Sequence, residues 1–243
     1  MGRLLFSAGC NQGFHLFEHF QEIPTKGAAD VKFEEFQSIS TNRGSGLTFF
    51  TIEGEHYLAV AEKNDGNSSV YKWKQRRFVK YQNIPTDDAK ACDSTVIANE
   101  TFLVYANHFH PEKKYNYTES SVYKWSGGHF IKFQSIQTQG AYSAKFFRIN
   151  GHVFLAFANR YTGSKYNTNS PIYKWDGVKF TLFQEIPTQG AMDIHPFEMN
   201  GEMFLAIANH ATQKLEHSLL FTKICKPTEL EEYTPLSTKA KDT

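Results

Sequence analysis

Apolar positions recur at every second residue in short runs rich in Val, Ile, Phe and Tyr, and each run is closed by turn residues. The stretch from Tyr142 onward shows the pattern most fully. A first strand is expected over Tyr142 to Ile149, stopped by Asn150-Gly151, and a second over His152 to Asn159. A third runs from Ser170 to Trp175 and ends at Asp176-Gly177; a fourth runs from Lys179 to Ile186 and ends at Pro187-Thr188. Asn-Gly is a strong hairpin signal because both residues tolerate the left-handed backbone of a type I′ turn. No stretch has the 3.6-residue period of an amphipathic helix, so the expected class is all-β.

The same four-strand set recurs. Phe130 to Gly140 (FIKFQSIQTQG) matches Phe180 to Gly190 (FTLFQEIPTQG), with weaker copies at Phe78 to Thr86, Phe33 to Thr41 and Phe17 to Thr25. The Gln inside the copies is Gln21, Gln37, Gln82, Gln134 or Gln184, and the last four are 45, 52 and 50 residues apart. Leu103 to Asn107, Leu155 to Asn159 and Leu205 to Asn209 form a second column, with Leu58 to Glu62 divergent. Tyr71-Lys-Trp73, Tyr123-Lys-Trp125 and Tyr173-Lys-Trp175 form a third. Four antiparallel strands per unit of about fifty residues describe a β-propeller blade.

Naming the strands of a unit A to D, complete A-B-C sets begin near Gly46, Ala91, Tyr142 and Met192, and two D-type segments, Phe14 to Ile23 and Lys32 to Ile39, precede the first. The expected organisation is a lead over 1–13, a propeller over 14–225 and a polar, disordered tail over 226–243. Within the propeller the units are a truncated repeat at 14–30, then 31–90, 91–141, 142–191 and 192–225. Relative to the period, about thirty-five residues are missing between Asp30 and Val31. Two readings stay open: four blades closed by an N-terminal D strand, or part of a larger ring. The long B–C connections, Glu62 to Ser69, Asn107 to Ser120, Asn159 to Ser170 and Asn209 to Ser218, collect the sequence variation on one face.

Composition removes several function classes. With 26 Lys and Arg against 25 Asp and Glu in 243 residues, no local run of basic residues suits a nucleic-acid backbone, so no nucleic-acid partner is expected. No segment reaches the ~18 apolar residues that a spanning helix needs, so no membrane insertion is expected, and the opening residues lack a secretory pattern. Cys10, Cys92 and Cys225 are too scattered for a disulfide scaffold or a zinc site and are read as idle thiols.

The wording F-x-x-F-Q-x-I-x-T-x-G-A, then N-G-x-x-F-L-A-x-A-N, then Y-K-W with D-G or G-G, resembles the epilepsy-associated repeat, also called the EPTP repeat. The resemblance covers about Phe14 to Ile224. It implies an extracellular β-propeller, seven-bladed in the family, that binds an extracellular or cell-surface protein without turning anything over.

Several residues are candidates for chemistry. Asp30, Asp93 and Asp193 are read as one column at the start of strand A, where carboxylates from different blades would face a central channel and suit Ca²⁺. The loop aromatics Phe109, Tyr115, Tyr117, Tyr161 and Tyr166 are expected to be partner-binding anchors. Asn67, Asn99 and Asn116 open glycosylation sequons. The recurrent Trp73, Trp125 and Trp175, with Phe33, Phe78, Phe130 and Phe180, are assigned to packing between blades rather than to a sugar platform. No catalytic motif stands out: His15 and His19 lack a third ligand, and no nucleophile elbow or phosphate loop is present. A lectin-like propeller and a propeller hydrolase are the alternative readings, and open blade edges leave room for a homodimer.

Overall fold

A computed structural model describes residues 35–63, 66–109 and 118–210 and the backbone of a last strand at 219–224. The chain divides into two units, Met1–Ile39 and Ser40–Thr243. In the first unit residues 35–39 are described and belong to no strand, so the described part of the D-type segment expected over Lys32 to Ile39 forms no ladder.

The second unit is a β-propeller segment of fifteen described strands in four antiparallel sheets. The first blade is β1 (Gly44–Ile52), β2 (Glu55–Glu62), β3 (Asn67–Lys74) and β4 (Arg77–Pro85). The second is β5 (Ala89–Ile97), β6 (Glu100–Asn107), β7 (Thr118–Ser126) and β8 (His129–Thr138). The third is β9 (Ala141–Ile149), β10 (His152–Asn159), β11 (Asn167–Trp175) and β12 (Phe180–Gln189). The fourth has three described strands, β13 (Ala191–Met199), β14 (Glu202–Asn209) and β15 (Leu219–Ile224). The A–B turns adopt the left-handed backbone that their Asn-Gly sequences favour: φ is 45° and 83° at Asn150-Gly151 and 54° and 75° at Asn200-Gly201.

Within a blade, side chains at alternate positions point to opposite faces, and both faces carry apolar residues because each meets a neighbouring blade. The buried residues accordingly form three clusters, one per joint, rather than one central core. Between the first two blades lie Phe50, Tyr57, Leu103, Tyr105 and Phe130; between the second and third, Phe102, Val104, Leu155 and Phe157; between the third and fourth, Phe154, Ile194 and Leu205. The inner strands pack in chain order, β1 on β5, β5 on β9 and β9 on β13. Among the described residues β13 does not pack back onto β1 in that way, so the described strands form an open row.

The F-x-x-F-Q motif fastens the first two joints. Its first Phe pairs across the C–D hairpin with the Trp of Y-K-W, as Phe130 does with Trp125 and Phe180 with Trp175, ring centres 5.1 Å apart in both. The residue before the Gln, Tyr81, Phe133 or Phe183, is the extra residue of a β-bulge. A bulge re-aims the next side chain, and here the Gln leaves its own sheet. Gln82 Nε2 donates to the Phe130 carbonyl and its Oε1 accepts from the Phe130 N–H, both at 2.8 Å. Gln134 does the same to Phe180, at 2.8 and 2.9 Å. The bulged ring packs beside the next blade's Trp, Tyr81 near Trp125 and Phe133 near Trp175. Trp125, Phe130, Trp175 and Phe180 therefore pack between blades, as expected, while Trp73 and Phe78 pack on each other within the first blade and Phe33 lies outside the described residues.

Candidate functional site

Strand geometry puts the A–B and C–D turns at one end of every blade and the B–C and D–A connections at the other. At the second end, three devices recur with the period. The first is a polar lock. Ser68, Ser120 and Ser170 on strand C meet Thr86, just past the end of strand D, and Thr138 and Thr188 on strand D at 2.8 to 2.9 Å, and accept the N–H of the last strand B residue, Glu62, Asn107 or Asn159. Asn159 also donates from Nδ2 to the Asn169 carbonyl (2.8 Å) and accepts the Gln139 N–H (3.1 Å), tying strand B to both connections.

The second device is a bulge near the start of each strand A. The pairing slips by one residue there, leaving Ser45, Lys90, Tyr142 and Met192 as the extra residues. The third is a basic column directly after strand B: Lys63, His108, Arg160 and His210. Each donates its backbone N–H to the residue of left-handed backbone in the preceding D–A connection, Arg43, Asp88, Gly140 or Gly190. At Gly140 (φ 58°) the fit is closest, since a Cβ would lie 2.7 Å from the Tyr161 carbonyl oxygen.

Bulge and basic columns converge between the second and fourth blades. Lys90 Nζ holds both carboxylate oxygens of Asp88, at 2.8 and 2.7 Å, and His108 Nδ1 lies 3.1 Å from one of them. Burial pushes the Asp88 carboxyl up, but the His108 and Lys90 hydrogen bonds outweigh it and hold it below its ordinary value. Burial lowers the His108 pKa against the opposing pull of Asp88, so the imidazole is neutral at pH 7. The His108 ring meets Tyr142 edge-on at 4.8 Å.

Arg160 lies 4.7 Å from the Tyr142 ring centre and 5.7 Å from that of Tyr166, and its Nη1 donates to Tyr142 Oη at 3.1 Å. Tyr166 packs on Tyr161 at 4.7 Å and lies 6.2 Å from the His210 ring. Among the described residues no carboxylate pairs with Arg160. The result is a half-exposed rim of rings around an uncompensated guanidinium, the composition of a protein-binding anchor rather than of a proton-transfer site.

The sequence-predicted residues divide accordingly. Tyr161 and Tyr166 are brought together in this rim, and Phe109 follows His108 beside it, half-buried. Tyr115, Tyr117, Asn116 and Asp30 lie outside the described residues. Exposed Asn67 opens β3 at the rim end; Asn99, also exposed, sits in an A–B turn at the opposite end with φ 64°. Cys92 is buried, which pushes its thiol pKa up to about 12; Cys10 and Cys225 lie outside the described residues.

The acidic column is corrected by the register. Asp193 pairs with Ala208, the position held by Ser143 opposite Ala158 and Ala91 opposite Ala106. Asp93 pairs with Val104, two residues further along, where the third blade has Lys145. Each carboxylate has its own occupation: Asp93 accepts the Phe146 N–H of the next blade at 2.9 Å, and Asp193 accepts the N–H of Ile194 at 2.9 Å. Among the described residues no three His, Cys, Asp or Glu side chains come together as a metal site. Burial raises the Asp93 pKa despite that hydrogen bond, so its charge is a cost to the fold at neutral pH. Asp93→Asn is therefore expected to keep or raise the melting temperature at pH 7, and the gain shrinks as acid protonates the wild-type carboxyl. A fall in melting temperature, with loss of a calcium response seen in the wild type, would restore the cation reading.

Sequence reasoning missed the basic and bulge columns. The first was legible, since Lys63, His108, Arg160 and His210 follow the A-x-A-N column at steps of 45, 52 and 50 residues. The second was not, because a bulge is a property of the pairing between two strands. The rim ends of the joints also hold two clefts. One, of about 460 Å³ between the second and third blades, is lined by Gln137, Gln139, Asn159, Asn167, Asn169 and Glu185 among others. Its counterpart one joint earlier, of about 380 Å³, includes Asn107, Glu119 and Lys132.

Comparison with known proteins gives four consecutive matches to the EPTP domain, over residues 32–74, 77–126, 129–176 and 179–224. The last three matches begin on the D strand of one blade and end on the C strand of the next, so a sequence repeat straddles a joint. The chain is 38% identical over 137 residues to the human thrombospondin-type laminin G domain and EAR repeat-containing protein, covering 55% of this chain and 20% of that protein. It is 26% identical over 129 residues to human leucine-rich repeat LGI family member 2, covering 51% and 22%. The matches thus span about a fifth of these relatives. Among solved structures, an exo-β-1,3-galactanase from Clostridium thermocellum superposes with a TM-score of 0.51 at 12% identity, over 76% of this chain and 49% of that one, a likeness of fold alone.

Proposed function

The chain belongs to the EPTP domain family, and from that premise we propose that it is a non-enzymatic, extracellular protein-interaction module whose binding surface is the loop rim of the second to fourth blades. One observation carries the placement: Arg160, held between the rings of Tyr142 and Tyr166, has no carboxylate partner among the described residues. A guanidinium oriented by two aromatic faces is pre-ordered for an acidic or carbonyl-rich protein surface, so little side-chain entropy is lost on contact. Tyr161 and Tyr166 add ring area beside it, and Lys90 contributes no free charge because Asp88 neutralises it. Secretion is the expectation that goes with the EPTP family resemblance.

The test is capture of cell-surface or matrix ectodomains from a purified display panel by the immobilised chain. Arg160→Ala and Tyr166→Ala are each expected to weaken a captured ectodomain at least tenfold, about 1.4 kcal/mol or more. Undiminished capture by both variants would remove the rim from the reading. The amide-rich cleft of about 460 Å³ favours a second reading, binding of a hydroxyl-rich saccharide. Free sugar that competes with capture, together with loss of binding in Asn169→Ala, would select it.

A further inference from the structure

The four A–B turns keep one backbone shape and differ in what they carry. Each places two residues in the left-handed region: Glu53-Gly54 at φ 51° and 79°, Ala98-Asn99 at 47° and 64°, Asn150-Gly151 at 45° and 83°, and Asn200-Gly201 at 54° and 75°. The ladders align them, since the closing pairs are Ile52 with Glu55, Ile97 with Glu100, Ile149 with His152 and Met199 with Glu202. The second turn residue is glycine in the first, third and fourth blades, where a missing Cβ removes the steric cost of positive φ. In the second blade it is Asn99, a residue type that tolerates this region.

Backbone preference accounts for an asparagine in the turn but not for the residue two places on. Asn99-Glu100-Thr101 completes the N-x-T acceptor sequence. Thr101 faces Val96 across the hairpin, in the position that Val153 holds in the third blade, and both are buried. An apolar residue therefore serves the packing there, and the Thr101 hydroxyl is not needed for it. Space favours a large substituent as well. Among the described residues, a Cβ built on Gly54, Gly151 or Gly201 meets nothing within 4 Å, so a side chain at this place in the turn leaves the blade for open space. Asn99 is exposed accordingly. The Asn67 sequon is placed differently, with Asn67 in register with Pro85 on a strand ladder and Ser68 beside it in the buried polar lock.

We propose that Asn99 carries an N-linked oligosaccharide. The donor is an oligosaccharide joined through its anomeric carbon to a lipid diphosphate. The bond from that carbon to the diphosphate oxygen breaks, a bond from the carbon to Asn99 Nδ2 forms, the carboxamide gives up one proton, and the lipid diphosphate leaves with the bonding electrons. Nothing is oxidised or reduced. Transfer acts on the chain before the hairpin closes, so the burial of Thr101 in the folded blade does not hide the acceptor sequence. The site rests on the extracellular part of the proposed function and not on the loop rim. The A–B turns lie at the end of the blades opposite that rim, so the sugar leaves Arg160, Tyr161 and Tyr166 uncovered.

The test is production of the full chain in animal cells behind a cleavable secretion leader, with medium and lysate both treated with an amidase that releases N-glycans. Peptide mapping is expected to show the wild-type chain losing a glycan at position 99, with Asn99 converted to aspartate. Asn99→Gly and Thr101→Val each copy a residue of another blade, so both are expected to fold by circular dichroism and to lose that glycan. Thr101→Val is the sharper variant, because it leaves Asn99 and its turn in place. A bare Asn99 in the wild type overturns the proposal, whatever the other sequons carry, and so does modification at Asn99 that survives Thr101→Val. Because the leader delivers the chain to the donor, a bare Asn99 counts against this site and not against the extracellular reading, which the capture experiment tests by itself.

Discussion

Phe102→Ala is expected to destabilise the protein by about 3–5 kcal/mol, lowering the melting temperature by about 6–20 °C for a domain of this size. Phe102 is fully buried in the joint between the second and third blades, 5.2 Å from the ring of Phe133 and 5.4 Å from that of Trp175. Removing the ring leaves a cavity that this joint cannot refill from a common core, because the apolar residues are distributed one cluster per joint. Blades that touch only their neighbours are held by nearest-neighbour terms, so the loss also uncouples the two sides of the row. The urea transition is expected to broaden or split as well as shift. A loss below about 1 kcal/mol would mean that the joint is not where stability resides.

Gln134→Ala and Gln184→Ala are expected to differ sharply although they change the same residue in the same repeat column. The first removes two hydrogen bonds and leaves the Phe180 N–H and carbonyl part-buried without partners, a loss of about 2–3 kcal/mol. The second removes a carboxamide that reaches no described neighbour, so in dilute protein, below any self-association, the change stays within about 0.5 kcal/mol. Parallel urea titrations decide the comparison. Equal losses would show that the column acts through its own strand, for instance through the bulge, and not through the blade beside it.

Those two substitutions also mark how far the sequence can be read. Gln82, Gln134 and Gln184 stand out in the sequence by recurrence alone, which identifies a constrained position without saying what constrains it. The answer lies 48 and 46 residues further along, at the backbone of Phe130 and Phe180, and a backbone group leaves no mark in the sequence. Tyr161 and Tyr166 were legible as large rings on a variable loop. That they flank a guanidinium anchored by Tyr142 was not, because Tyr142 reaches the rim through a one-residue slip in pairing. The acidic column failed for the same reason: counting from the Gly-Ala turn aligned Asp93 with Asp193, whereas the ladder places them two residues apart.

The sequence by itself determined what is local or periodic: the strands, from alternation and turn chemistry; the blade, from four strands per unit; the family, from its recurring columns; and the all-β class, from the missing helical period. Only the tertiary structure decided what each column touches, where the strand A bulges lie, and that among the described residues β13 does not pack on β1 as the successive inner strands pack on one another. The reason is physical. Turn and strand preferences are set by a residue and its near neighbours, whereas register, bulges and joints are set by the packing of segments some fifty residues apart, which a repeat announces but does not aim.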